Sequence, residues 1–361
     1  MSKKEPLVSA GESKRFGYVY RADNYSVLDG IINPYLTDPI MKITPYGLPA
    51  NIITIFSNTL VFLAMLLALR GRHDVFSFWF IIPIFVLSYL IGDCIDGLQA
   101  RRTKTGSPLG EFMDHFLDCF VTGELMISIF AAYNLSNVWI MCIVLTISYW
   151  TQASAFWEKY KTHHMYFGKF SSSETVVTLC IIIFVACFKV IREFLKTSLI
   201  SFSFVQNLFG SNLSWFTSIS VIELILCISS LIALINVVLA VVRAGGADFR
   251  FVSYCLLALL VAVMFCLREN ESVDFMCFTI SLYNISYIGT LLISIVTKKN
   301  DKYSDFILPA FLVIAIAVGL KSPFVLYGAF GYILLVVLVK AARFIHSKKE
   351  CWVWKNPENV E

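Results

Sequence analysis

The chain has 361 residues, of which 58% are hydrophobic and only 15% are charged. This composition excludes an ordinary soluble domain and predicts an all-α polytopic membrane protein. The formal net charge of +4 is small and indicates no nucleic-acid partner. Most of the ten cysteines lie inside apolar runs, which is typical of small buried side chains and not of a disulfide framework.

The N-terminal segment, residues 1–48, begins polar and lacks the apolar core of a cleaved signal peptide. From Tyr18 to Leu48 apolar side chains alternate with polar residues and prolines. This pattern predicts an interfacial helix on the membrane surface, and a packed extension without lipid contact is the alternative.

Apolar runs long enough to cross a bilayer follow, since roughly 20 apolar residues suffice. The first predicted span covers residues 51–69. Nine more are expected at 76–100, 108–133, 137–157, 172–195, 215–243, 250–267, 272–296, 304–320 and 323–345. The sequence therefore predicts about ten transmembrane helices and one N-terminal interfacial helix.

Basic residues follow every second predicted span and are sparse in the intervening loops. Arg101 and Arg102 follow the second span, and Lys159 and Lys161 follow the fourth. Because basic residues are enriched in cytoplasmic loops, both termini are expected on the cytoplasmic side.

Acidic residues cluster at the facing ends of the second and third spans. Asp93 and Asp96 are three apart and share a helix face with Gly97. On the next helix one stripe contains Glu111, Asp114, His115 and Asp118. The intervening Arg102–Leu109 contains glycine and proline, which predicts a tight turn between antiparallel helices. The acids are therefore expected to meet at the cytoplasmic end.

Acids in membrane segments are costly and by default indicate function. Oxygen ligands of this kind favour Mg²⁺, Mn²⁺ or Ca²⁺ over zinc. Two divalent cations would neutralise four carboxylates and leave coordination positions for phosphate oxygens.

The spacing Asp93-x2-Asp96-Gly97-x2-Ala100-Arg101-x8-Gly110-x3-Asp114-x3-Asp118 resembles the signature of the CDP-alcohol phosphotransferases. Gln99–Thr103 and Ser107–Glu111, followed by Asp114-His115, resemble the choline/ethanolamine phosphotransferase branch. Pro49–Thr54 is similar to the family's entry to its first helix, although Ala50 interrupts the Pro-Asn pair. Phe116-Leu117 departs from the Gly-Cys expected in eukaryotic members.

The resemblance implies roles for the matching positions. Two Mg²⁺ or Mn²⁺ ions would bind to Asp93, Asp96, Asp114 and Asp118. The CDP-alcohol would contact Asn51, Gly97, Ala100, Arg101 and Gly110. His115, supported by Glu111, would be the base that accepts the proton of the lipid hydroxyl.

The resemblance also implies an activity and an organisation. The expected reaction transfers phosphocholine or phosphoethanolamine from CDP-choline or CDP-ethanolamine to diacylglycerol and releases CMP. The alternatives are a sister enzyme that uses CDP-diacylglycerol or another lipid acceptor, and a cation transporter. Residues 49–200 would form the catalytic helices, 201–346 a lipid chamber or dimer contact, and 347–361 a cytoplasmic tail. A homodimer is expected, in the endoplasmic reticulum or Golgi membrane of a eukaryote or the inner membrane of a bacterium.

Overall fold

The computed structural model describes residues 7–8, 11–13, 18–20, 22–72, 80–168, 172–209, 218–268, 272–300, 302–320 and 322–352. Most of these residues are helical, as the composition predicts. The remaining parts of the predicted N-terminal segment, of the loops and of the tail at 353–361 lie outside the described residues.

The N-terminal helix is continuous from Asp29 to Ile43. It consists of α1 (Asp29–Ile32), a π-helical turn (Asn33–Thr37) and α2 (Asp38–Ile43). Ile31, Tyr35 and Ile43 are exposed by 53%, 76% and 80%. A helix with a row of exposed apolar side chains beside a membrane-spanning bundle fits the interfacial position expected from the sequence.

Eight helices in the described part of the chain are long and apolar enough to cross a membrane. They are α3 (Ala50–Gly71), α4 (Ile81–Arg102), α5 (Pro108–Ala132), α6 (Val138–Thr162), α10 (Val221–Arg243), α11 (Phe249–Cys266), α12 (Val273–Thr297) and α14 (Phe324–Ser347). The shorter helices α7 (Ser172–Ala186), α8 (Lys189–Lys196), α9 (Ser203–Phe209) and α13 (Ile307–Ala317) complete the set.

The fifth predicted span, 172–195, is broken. Helix α8 turns away from α7 by 105° at the junction. The two helices together are long and apolar enough for one span, but that span would be broken at this bend. Buried Arg192 donates from Nη1 to the carbonyl oxygen of Ala186 at 3.4 Å, which satisfies a terminal carbonyl of α7. Lys189, Glu193 and Lys196 give α8 a polar face, so it suits a membrane surface better than a membrane core.

The ninth predicted span, 304–320, is a half-length helix. Helix α13 has 11 residues, about 16 Å, and a segment without regular secondary structure precedes it. Asp305 accepts hydrogen bonds from the backbone nitrogens of Ile307 and Leu308 and from the hydroxyl of Tyr332. The hydroxyl of Tyr283 donates to the Asp305 carbonyl oxygen at 2.8 Å. These bonds satisfy backbone N–H and C=O groups that would hydrogen-bond to each other if the helix were continuous.

Among the residues that the structure describes, five short strands lie outside the bundle: β1 (Leu7–Val8), β2 (Gly11–Ser13), β3 (Tyr18–Tyr20), β4 (Ala22–Asn24) and β5 (Met165–Phe167). Strand β4 pairs antiparallel with β1 and parallel with β5, while β2 pairs with β3. The pairing of β4 with β5 joins the N-terminal segment to the loop that follows α6.

The core of the bundle is centred on α5 and α12, which are the most buried of the candidate spans. Helix α3 packs against α4 and α5, and α12 packs against α5, α6 and α14. At the α5–α12 contact, a Cβ added to Gly289 would lie 2.8 Å from Cε2 of Phe116. Gly289 therefore leaves the space that the Phe116 ring occupies.

Candidate active site

The turn between α4 and α5 is formed by local sequence. Ser107 caps α5, since its Oγ accepts from the Gly110 nitrogen at 3.0 Å, and Pro108 occupies the first helical position. Arg101 and Arg102 lie in the last turn of α4, where positive charge is favourable. The antiparallel pair predicted from the sequence is therefore present, and its acids lie at one end of the bundle.

A cavity of about 1190 Å³ opens at this end of α4 and α5. Every site residue predicted from the sequence lines it: Asn51, Asp93, Asp96, Gly97, Ala100, Arg101, Gly110, Glu111, Asp114, His115 and Asp118. The structure thus brings residues of three helices to one space, with Asn51 at the start of α3.

Two of the acids are held by hydroxyl groups of neighbouring helices. Thr54 donates from Oγ1 to Asp96 Oδ2 at 2.5 Å, and the Tyr89 hydroxyl donates to Asp118 Oδ1 at 2.8 Å. Asp96 is only 4% exposed. In the described part of the chain, Asp114 Oδ1 is buried and has no hydrogen-bond partner.

These residues fit a divalent cation. One potential ligand atom from each of Asp114, His115 and Asp118 lies within 4.8 Å of the other two. A buried carboxylate oxygen without a hydrogen bond is costly unless a cation compensates for it. The donors are mainly carboxylate oxygens, which suit Mg²⁺ or Mn²⁺. Asp93 and Asp96 line the same cavity from α4 and add two further carboxylates.

His115 lies beside a buried ion pair. Lys159 of α6 donates from Nζ to Glu111 Oε1 at 2.5 Å, and the two side chains are each 6% exposed. The same Nζ is 3.4 Å from His115 Nε2, while His115 Nδ1 is 3.6 Å from Asp114 Oδ2. Lys159 therefore links the two residues expected to form the base.

Sequence reasoning missed Lys159. The sequence places it after the fourth predicted span, which ends at 157, among the basic residues that indicate orientation. Helix α6 continues to Thr162, past the predicted end of that span at 157, and buries the lysine. The run of polar residues after Trp157 hides the helical continuation, so the sequence held no clear signal for this role.

The N-terminal helix closes one side of the cavity, with Asp29 and Asn33 in its wall. Glu174 Oε1 accepts from Ser26 Oγ and from the backbone nitrogens of Val27 and Leu28, at 2.7–3.0 Å. Glu174 lies in the first turn of α7, where a carboxylate is favourable, and it also satisfies the start of the N-terminal helix across the fold.

Two residues of the motif hold the chain that follows this helix. Gln99 Nε2 donates to the carbonyl oxygens of Pro45, Tyr46 and Leu48. Arg102 Nη1 donates to the carbonyl oxygens of Met41 and Thr44, both at 3.0 Å. Gln99 and Arg102 therefore have a structural role beside the acids, because they fix the backbone between the N-terminal helix and α3.

The predicted nucleotide-binding glycines border polar groups. A Cβ added to Gly110 would lie 3.3 Å from Asn51 Oδ1, so glycine allows the start of α3 to approach α5 closely. A Cβ on Gly97 would lie 3.4 Å from Nη1 of Arg101. Both positions therefore keep the backbone of the site accessible.

Comparison with known proteins gives one family. Residues 48–205 match the model of the CDP-alcohol phosphatidyltransferase family. An uncharacterized class-I family protein of Schizosaccharomyces pombe is 30% identical over 181 residues, 46% of this chain and 45% of the relative.

Two relatives have names that state an activity. Human ethanolaminephosphotransferase 1 is 27% identical over 160 residues, 40% of each chain. Chicken cholinephosphotransferase 1 is 27% identical over 192 residues, 51% of this chain and 56% of the relative. The matches thus span about half the length of these curated relatives. Residues 48–205 are thus similar to the CDP-alcohol phosphatidyltransferase family, and the described part of the chain has the helices of a multi-pass membrane protein.

Proposed function

We propose that this protein transfers phosphocholine, phosphoethanolamine or both from the CDP-alcohol to the hydroxyl of diacylglycerol and releases CMP. The observation that carries the proposal is that one cavity contains the acids at one end and continues between α5, α6, α7 and α10. A water-soluble donor and a membrane lipid can meet in such a space. The names of the human and chicken relatives support the same donors.

In the proposed reaction the lipid hydroxyl oxygen forms a bond to the phosphorus next to the alcohol. The bond from that phosphorus to the bridging oxygen breaks, and CMP leaves with the electron pair. Divalent cations bound by Asp93, Asp96, Asp114 and Asp118 would neutralise charge on the diphosphate. Arg101 lines the cavity and would orient the phosphates, since its guanidinium offers several donors.

His115 is proposed to take the proton of the lipid hydroxyl through the ring nitrogen that carries no hydrogen. The ring is positioned by Asp114 on one side and by Lys159 on the other. Lys159 in turn is held by Glu111, so Glu111 would act on the base through the lysine. Gly97, Ala100, Gly110 and Asn51 would surround the nucleotide.

The test offers labelled CDP-choline, CDP-ethanolamine and CDP-diacylglycerol to the purified protein, with and without a chelator. Release of CMP from CDP-choline or CDP-ethanolamine with diacylglycerol, lost with chelator and restored by Mg²⁺, would support the proposal. If CDP-diacylglycerol is the only one of the three donors that the protein uses, the sister enzyme is favoured. Cation flux in liposomes without any CMP release would favour a transporter.

His115→Ala is the matching test of the base. It should abolish turnover and leave CDP-alcohol binding largely intact, because the ring is expected to act on the acceptor. Near-normal turnover in that variant would reject the assignment.

The proposed function also bears on the membrane location and on the oligomeric state. The acidic site would face the cytoplasm, where CDP-alcohols are available, in the endoplasmic reticulum or Golgi of a eukaryote or the inner membrane of a bacterium. A homodimer is proposed, with 201–346 forming part of the lipid chamber or the dimer contact.

A further inference from the structure

The cavity changes in chemical character with depth. Carboxylates line it beside the turn between α4 and α5, while Leu125, Met126, Val144, Ile182 and Leu226 line its deeper part. Between these two zones the wall holds uncharged polar side chains. A lipid that enters the cavity therefore meets apolar, then polar, then charged surroundings.

The polar zone is centred on Thr122 and Gln152. Thr122 follows Asp118 by one helical turn, about 6 Å along α5. Its hydroxyl donates to Gln152 Oε1 of α6 at 3.1 Å. The amide oxygen accepts from Thr122, so the amide nitrogen of Gln152, which is only a donor, is the group assigned to a ligand in the cavity that this residue lines.

Asn236 of α10 lies at the same depth. Helices α6 and α10 are joined near their ends by Glu158 and Arg243, which form two hydrogen bonds of 2.6 and 2.8 Å. Gln152 precedes Glu158 by six residues and Asn236 precedes Arg243 by seven, so both lie about 10 Å from this ion pair. Asn236 also lines the cavity and adds a second amide to the polar zone.

We infer that Gln152, with Asn236, binds the ester carbonyl groups of the diacylglycerol acceptor and so sets the depth of its hydroxyl. This inference rests on the proposed function for the identity of the acceptor. In 1,2-diacylglycerol one ester is on the carbon adjacent to the one that bears the hydroxyl, the second is one carbon further, and the acyl chains follow. With the hydroxyl beside His115 and Asp118, the esters reach the level of Thr122 and the chains enter the apolar part.

The chemistry of the amide makes the inference specific. Ester carbonyl oxygens accept hydrogen bonds. A dialkylglycerol has no carbonyl groups, and its ether oxygens are weaker acceptors. An amide donor in a membrane-embedded cavity therefore distinguishes esters from ethers of the same chain length. A site that bonds a polar group rejects the analogue that lacks it, because its own donor is left unpaired.

The experiment compares Gln152→Met with the unchanged protein, using diacylglycerol and dialkylglycerol of matched chain length. Methionine keeps the approximate length of the side chain and removes the donor. The unchanged protein is expected to prefer the ester acceptor in kcat/KM by roughly tenfold. Gln152→Met is expected to lose this preference by slowing only the ester reaction. An equal loss on both acceptors, or no preference before the substitution, overturns the inference.

A control and a binding measurement complete the test. Ser148→Ala removes a cavity-lining hydroxyl one turn deeper, which donates to the Val144 carbonyl oxygen, and should leave the ester-to-ether ratio unchanged. Displacement of a fluorescent diacylglycerol from the full-length protein measures ester preference without turnover. Ester-selective binding without CMP release overturns the proposed function and keeps the ester site, whereas CMP release without ester preference does the opposite.

Discussion

The buried pair of Lys159 and Glu111 allows structural and catalytic roles to be separated. Lys159→Met leaves the Glu111 carboxylate 6% exposed and without its cation. Breaking a buried ion pair on one side costs about 3–5 kcal/mol. Since domains are stable by only about 5–15 kcal/mol, this loss should be plain in the free energy of unfolding. The assay is SDS-induced unfolding of the purified protein in mixed micelles.

The double variant Lys159→Met, Glu111→Gln removes both charges. It should recover at least about 2 kcal/mol of the loss, because an uncharged amide is much less costly to bury than a carboxylate. Its turnover should stay low, since His115 has lost the ammonium group 3.4 Å from its Nε2. The measurement pairs the unfolding titration with CMP release.

A nearby exposed pair gives the control. Lys161, two residues further along α6, is 3.6 Å from Asp248, and both side chains are about one-third exposed. Lys161→Met should cost about 1 kcal/mol or less. If Lys159→Met costs no more than this control, or if the double variant is as unstable as the sum of its two single changes, the reasoning about the buried pair is refuted.

Three further predictions concern neighbouring parts of the fold. Gly289→Ala should cost about 1–3 kcal/mol in SDS unfolding, because its Cβ would meet the Phe116 ring, and Phe116→Leu should restore most of the loss. Glu174→Ala removes the acceptor for three hydrogen bonds and should speed hydrogen exchange in residues 26–43. Thr54→Val removes a bond to Asp96 and should raise the Mg²⁺ concentration needed for CMP release by roughly tenfold.

Each of these has its own control or contrary result. Glu193→Ala, at a carboxylate that is 52% exposed, should leave exchange in residues 26–43 unchanged. Thr59→Val removes a hydroxyl that bonds only within α3 in the described contacts, and should not move the Mg²⁺ titration. Unchanged exchange in Glu174→Ala, or a Gly289→Ala loss that persists with Phe116→Leu, would contradict the assigned contacts.

The acidic face of the site could be predicted because its geometry is local. The spacing of Asp93 and Asp96 places them on one side of α4, and Ser107 with Pro108 starts the next helix at once. Such features depend only on residues three or four apart, which a helix brings together whatever the rest of the fold does. The meeting of both faces then follows from the short turn.

The parts that escaped prediction depend on contacts between distant segments. Lys159 is 48 residues from Glu111, and Glu174 is 148 residues from Ser26, so no periodicity encodes either pairing. The number of spans also differs: the described part of the chain has eight candidate spans, or nine if α7 and α8 form one broken span, where the sequence predicts about ten. Hydropathy measures the length of an apolar run, and it does not register that Asp305 starts a short helix or that the chain bends after Ala186.

The bonds from Glu174 to Ser26, Val27 and Leu28 have a consequence for biosynthesis. The N-terminal helix is synthesised before the carboxylate that fixes its start, which is made only after four long helices have followed. Gln99 and Arg102, which secure the other end, appear midway through that interval. The N-terminal helix can therefore take its place in the wall of the cavity only after these later helices have been made.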